Sequence, residues 1–101
     1  MKQRLIRYTT KPGTTDENER LIRNVFEELA AKTPAGVRYL VLKLDGGGFA
    51  HFVMADTEAG TGPLTELAAF RVFQKDVAAR CIDPPQVNEA TIVGNYRLLG
   101  E

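Results

Sequence analysis

Along this chain apolar residues alternate, then recur every three to four positions, then alternate again, and each change of period marks an element. Arg4-Leu5-Ile6-Arg7-Tyr8-Thr9-Thr10 is rich in β-branched and aromatic residues and stops at Lys11-Pro12-Gly13. It predicts a strand with Ile6 and Tyr8 on one side and Leu5 and Arg7 on the other. Leu21, Ile22, Val25, Phe26 and Leu29 then form one stripe at helical spacing. Thr14, Thr15 and Asp16 offer N-cap oxygens ahead of it, and Glu17 stands in capping-box spacing to Thr14. The helix is expected from Asp16 to Lys32, ended by Thr33-Pro34-Ala35-Gly36, with Glu19–Arg23 and Glu28–Lys32 as ion pairs one turn apart on its solvent side.

Val37 to Leu44 and Phe49 to Asp56 read as a hairpin around Asp45-Gly46-Gly47-Gly48. A loop of Gly46 to Gly48 sets Leu44 against Ala50, Leu42 against Phe52, Leu40 against Met54 and Arg38 against Asp56, which puts six apolar residues on one face and ends the ladder on an opposite-charge pair. Tyr39, Val41, Lys43, Phe49, His51, Val53 and Ala55 share the other face. A polar stretch, Thr57 to Gly62, leads into Pro63 and a second helix carrying Leu67, Phe70, Val72, Phe73, Val77 and Cys81. That helix should reach Arg80 and stop before Asp83-Pro84-Pro85. The last strand is expected at Ala90 to Leu99, with Gly94 as a bulge.

The order β-α-β-β-α-β predicts one α+β domain over residues 1–101, a ferredoxin-like antiparallel sheet with two helices on one face. The helices are expected over Leu40, Leu42, Phe52 and Met54, leaving His51, Tyr39, Val41 and Val53 on the bare face. That face is too apolar for water. A second copy is the economical cover, so the expected assembly is a homodimer whose sheets face each other in a dimeric α+β barrel.

Charge narrows the partners. Thirteen Lys and Arg balance thirteen Asp and Glu, so nucleic acid and anionic membrane have no electrostatic claim on the chain. Apolar runs stay far below the ~20 residues of a membrane helix, and no export signal is visible, so a cytoplasmic location is expected. Cys81 is the lone cysteine and His51 the lone histidine, which excludes an intrachain disulfide and any multi-histidine or cysteine metal cluster. Neither a metal nor a cofactor is expected from the residues.

His51 has two readings: a base that takes a proton from a phenol or carbon acid, or a hydrogen-bonding residue in the dimer interface. Arg7, Tyr8, Tyr39, Tyr96 and Arg97 lie on predicted strands, where they either hold a phenolate or carboxylate or pack with their polar tips at the core edge. Asn95 beside Tyr96 is a candidate oxyanion donor. Phe26 and Phe70 are core residues that could also line an aromatic pocket. Gly46-Gly47-Gly48 lacks a following Lys-Ser or Lys-Thr and reads as a turn, not a phosphate loop. Cys81, at a helix C-terminus, reads as a buried inert thiol.

The element order, Asp16-Glu17-Asn18-Glu19-Arg20-Leu21-Ile22-Arg23, and Pro63-Leu64-Thr65-Glu66-Leu67 through Phe70-Arg71-Val72-Phe73-Gln74 together resemble the antibiotic biosynthesis monooxygenase-like, dimeric α+β barrel superfamily of small bacterial proteins. The resemblance spans nearly the whole chain. It implies the fold, a homodimer and a small aromatic ligand. Among the activities of such proteins it implies cofactor-independent oxygenation of phenolic rings; for such a reaction the residues read above offer His51, Tyr96 and Arg97 as catalytic candidates and Tyr8, Asn95, Phe26 and Phe70 as ligand contacts. Non-catalytic barrels are the alternative. The tryptophan used by the oxygenases of that superfamily has no counterpart, since the chain contains none.

Overall fold

A computed structural model describes residues 2–56 and 62–99, so most of the polar stretch from Thr57 to Gly62 lies outside the described residues. The elements are β1 (Lys2–Thr9), α1 (Thr15–Lys32), β2 (Val37–Lys43), β3 (Gly48–Ala55), α2 (Ala68–Lys75), α3 (Val77–Arg80) and β4 (Gln86–Glu89), with 3-10 turns at Asp45–Gly47 and Gly62–Glu66. The strands form one antiparallel sheet in the order β2-β3-β1-β4. This is the ferredoxin-like α+β arrangement that the periodicity predicts.

α1 buries Leu21, Ile22 and Val25 of its apolar stripe, and the Glu19–Arg23 and Glu28–Lys32 pairs form at 2.6 Å each. The expected capping box does not form. The Thr14 hydroxyl instead donates to the carbonyls of Lys11 and Arg80, tying the loop before α1 to the end of α3. Glu28 also serves the neighbouring helix, since its carboxylate accepts the Ala69 N–H at 2.9 Å and so caps α2 across the helix pair. The second helical region breaks at Asp76, which separates α2 from α3.

The hairpin register is two residues away from the expected one. Leu42 faces Ala50, Leu40 faces Phe52 and Tyr39 faces Val53. The loop is Asp45-Gly46-Gly47, closed by a 2.8 Å bond from Leu44 N–H to the Gly48 carbonyl. Gly46 and Gly47 take positive φ, at 75° and 85°, while Gly48 is extended and begins β3. A shift of two leaves each residue on its expected face.

The side that the helices cover is the reverse of the one expected. Phe49, His51 and Val53 are buried beneath α1 and α2, whereas Leu40 and Leu42 are exposed. The register explains the choice. Ile6 pairs with His51 and Tyr8 with Phe49, so the aromatic face of β3 is continuous with the larger apolar residues of β1. Counting Tyr39 and His51 as polar undervalues that face, because their polar atoms bond to one another.

The last strand is also displaced. β4 starts directly after Pro84-Pro85 and pairs with Arg4 to Arg7 of β1. Ala90 still donates to the Gln3 carbonyl at 2.9 Å, but there β1 runs out, and the β-branched run beyond it finds no strand to join among the described residues.

Candidate functional site

Three strands and two helices deliver a chain of polar side chains into the core. His51 is near the middle of β3, and Tyr8 of β1 and Tyr39 of β2 are its diagonal neighbours on the helix-covered face. The Tyr8 hydroxyl lies 2.7 Å from His51 Nε2, and the Tyr39 hydroxyl lies 2.6 Å from Nδ1. Asn18 of α1 donates from Nδ2 to the Tyr8 hydroxyl at 2.9 Å, and Arg80 of α3 donates from Nε to Asn18 Oδ1, also at 2.9 Å. A second Arg80 nitrogen donates to the Phe73 carbonyl at 2.8 Å, while its guanidinium sits 5.3 Å from the centre of the Phe73 ring. Asn18, His51 and Arg80 are all buried. Each bond removes a desolvation penalty of about 1–3 kcal/mol that an unpaired partner would carry.

Electrostatics keep most of this chain neutral. Burial lowers the His51 pKa from 6.5 to about 4, so the imidazole is uncharged at neutral pH. Burial raises Tyr8 to about 12, against the Asn18 hydrogen bond that favours the phenolate, and burial raises Tyr39 as well. Arg80 is the exception, a buried cation whose partners are neutral; among the described residues no carboxylate pairs with it.

A cavity of about 260 Å³ opens between sheet and helices beside this chain. Ile6, Val53, Leu64, Phe70 and Phe73 supply its apolar walls; His51, Tyr8, Tyr39, Arg4 and Gln74 supply the polar positions. The Arg4 Nε is buried with no hydrogen-bond partner among the described residues. The volume lies just below the ~300 Å³ at which small-molecule sites usually begin and suits a single ring better than a fused polycycle.

The structure brings together His51, Tyr8 and Phe70 of the predicted site residues. Phe26 stacks on Tyr39 at 5.0 Å but lines a separate groove with Glu19 and Lys43. Asn95 and Tyr96 lie across the sheet, beside Leu5, Leu40 and Phe52. There the Asn95 side-chain oxygen accepts the N–H groups of Leu98 and Leu99, and Arg97 stacks on Tyr96 at 5.3 Å. Within one copy, therefore, His51 does not meet Tyr96 or Arg97. The expectation that His51 lies on the bare face is overturned by its burial under the helices. As a direct base it is also hindered, because both ring nitrogens are held by tyrosines.

Asn18, Arg80 and Arg4 are residues that sequence reasoning missed, and for the first two a signal existed. Asn18 stands three, four and seven positions before Leu21, Ile22 and Val25, and Arg80 stands three positions after Val77 and seven after Phe73. A polar residue on an apolar stripe has to find a buried partner. Among the described residues no group of His, Cys, Asp or Glu side chains is gathered to hold a metal ion.

No family model matches the chain, and no curated protein matches it. Solved structures do match. The crystal structure of an antibiotic biosynthesis monooxygenase superposes with a TM-score of 0.73 at 17% identity, covering 93% of this chain and 100% of that one. Rv0793 from Mycobacterium tuberculosis gives 0.71 at 14% identity, covering 93% and 96% of the two chains. NE2512 from Nitrosomonas europaea, a protein of unknown function, gives 0.69 at 18% identity, covering 94% and 92%. At such identities the likeness establishes fold. This chain has the α+β fold of those structures.

Proposed function

We propose that this protein is a small-molecule enzyme acting on a compact hydroxylated aromatic ring, which it oxygenates with dioxygen, and that it works as a cytoplasmic homodimer. The observation that carries the proposal is the cavity in which His51, Tyr8, Tyr39 and Arg4 meet apolar walls. The phenylalanines hold the ring, and Arg4 favours its ionised form. A bound phenolate is electron-rich enough to pass one electron to dioxygen. The radical and superoxide then combine at a ring carbon, and the hydroperoxide loses water to leave a carbonyl. Overall, a phenol and dioxygen give a quinone and water, with all four electrons drawn from the substrate. The protein contributes placement and exclusion of water.

A second reading, a ligand-binding homodimer without turnover, draws support from the low basicity and full occupation of His51. An oxygen electrode separates the two with a panel of single-ring phenols and hydroquinones. Turnover is expected to consume dioxygen and release quinone in equal amounts, and Tyr39→Phe to slow it about tenfold or more. Binding of the panel with no enzyme-dependent oxygen uptake would establish the second reading instead.

The assembly proposal rests on the bare side of the sheet. Leu40, Leu42 and Leu44 are between 42% and 51% exposed there, beside a tail that leaves Tyr96 and Leu98 about four-fifths exposed. A second copy would cover both.

A further inference from the structure

The hydrogen-bond chain has a direction, and we infer that Arg80 and Asn18 set it so that the cavity receives a donor hydrogen from Tyr39 and selects an aromatic ligand carrying an acceptor oxygen: a ketone, quinone or phenolate. This deepens the proposed function and rests on its cavity. The direction follows from the donors and acceptors that each group possesses. An arginine can only donate, so the Asn18 atom facing Arg80 Nε must be oxygen. The other Asn18 atom is then the amide nitrogen, which must donate to the Tyr8 oxygen. Tyr8 has one hydrogen, and its one remaining partner is His51 Nε2, so Nε2 accepts. A neutral imidazole with an accepting Nε2 carries its proton on Nδ1, and that proton goes to the Tyr39 oxygen.

Tyr39 is left holding its own hydrogen at the cavity wall, with no other hydrogen-bond partner among the described residues. The reverse direction fails, because it would give the Tyr8 oxygen two incoming hydrogens and leave its own buried hydrogen without an acceptor. Arg4 Nε is a second unpartnered donor at the same cavity. Tyr39 and Arg4 thus ask for an acceptor, while the Gln74 amide at the same cavity can serve either sense, and an anionic oxygen would also answer the uncompensated charge of Arg80 through the chain. Arg80 and Asn18 touch no ligand in this scheme. They are positioning residues that act through the tautomer of His51.

Because His51 is the sole histidine, its two ring nitrogens can be read without ambiguity by long-range proton–nitrogen NMR on uniformly 15N-labelled protein. The wild-type chain is expected to show the proton on Nδ1. Asn18→Asp keeps the shape but replaces the amide donor with a second acceptor. Tyr8 then donates to Asp, its oxygen accepts from Nε2, and the proton is expected to move to Nε2. A wild-type proton on Nε2, or an unchanged tautomer in Asn18→Asp, would overturn the inference. If that variant does not fold, the wild-type tautomer decides alone. For the ligand half, acetophenone, which only accepts, is compared with ethylbenzene, which does neither. Tyr39→Phe should weaken acetophenone about tenfold and ethylbenzene hardly at all. Equal losses for both, or none for acetophenone, would overturn the ligand assignment. None of these measurements needs turnover, so an inactive protein would count against the oxygenase reading and leave this one standing or falling on its own results.

Discussion

His51 is a buried titratable group, and its stability signature follows from that. Its pKa is 6.5 unfolded and about 4 in the fold, so between those values the unfolded chain binds the extra proton. Stability therefore rises with pH across that window; the contribution is complete above pH 6.5 and is lost as pH falls toward 4. Its size is on the order of 3 kcal/mol. Urea midpoints measured across this range should slope upward in the wild type, and His51→Gln should flatten most of that slope. The lowered carboxylates Glu19, Glu28 and Glu89 titrate below their usual value and contribute mainly at more acid pH. At this scale, the candidate site was half legible. His51 and Tyr8 stand out as a lone imidazole and a strand tyrosine. Asn18 and Arg80 show in the sequence only as polar residues on apolar stripes; that they meet each other depends on a contact 62 positions apart in sequence.

At the scale of elements, periodicity captured β1, α1 and the hairpin, because each buries one face of a regular repeat. It failed where two faces of β3 compete. Aliphatic residues look like the better core, yet Tyr39 and His51 bury ring surface there because their polar atoms bond to each other and, through His51 Nε2, to Tyr8. It also misplaced the last strand, since strand propensity in Ala90 to Leu99 does not create a neighbour to pair with. One element carries local strain. Thr33 ends α1 in the left-handed region, at φ 41° and ψ 55°, where a β-branched residue is costly and glycine is the usual occupant. Its N–H already bonds to the Leu29 carbonyl at 2.8 Å, so the cap geometry is in place. Thr33→Gly is expected to raise stability by about 1 kcal/mol, visible as a higher Tm. A lowered Tm would show that flexibility in the unfolded chain outweighs the relieved strain.

For the whole molecule, the exposed sheet face is the feature to test. Light scattering at micromolar concentration should report a dimer for the wild type, and Leu40→Glu combined with Leu42→Glu should yield a monomer with its far-ultraviolet circular dichroism intact. A wild-type monomer would leave the leucine face without its proposed partner. Both substitutions point away from the His51 cavity, so ligand binding in the monomer would show whether each copy holds a complete site.

The sheet order has a further consequence, for how the chain reaches this fold. β1 lies between β3 and β4, so Leu5 must find Phe52 on one side and Asn88 on the other. Neither pairing is local, and each waits on the closure of a long loop. Until β4 arrives, β1 has an open edge reading Leu5-Ile6-Arg7-Tyr8, a segment with the makings of an intermolecular strand. Arg7 interrupts that run and is exposed in the finished fold. It acts as a gatekeeper, a charge that discourages edge-to-edge stacking while folding is incomplete. Arg7→Val should change equilibrium stability little, yet lower the yield of soluble protein on refolding from urea, and more steeply at higher protein concentration.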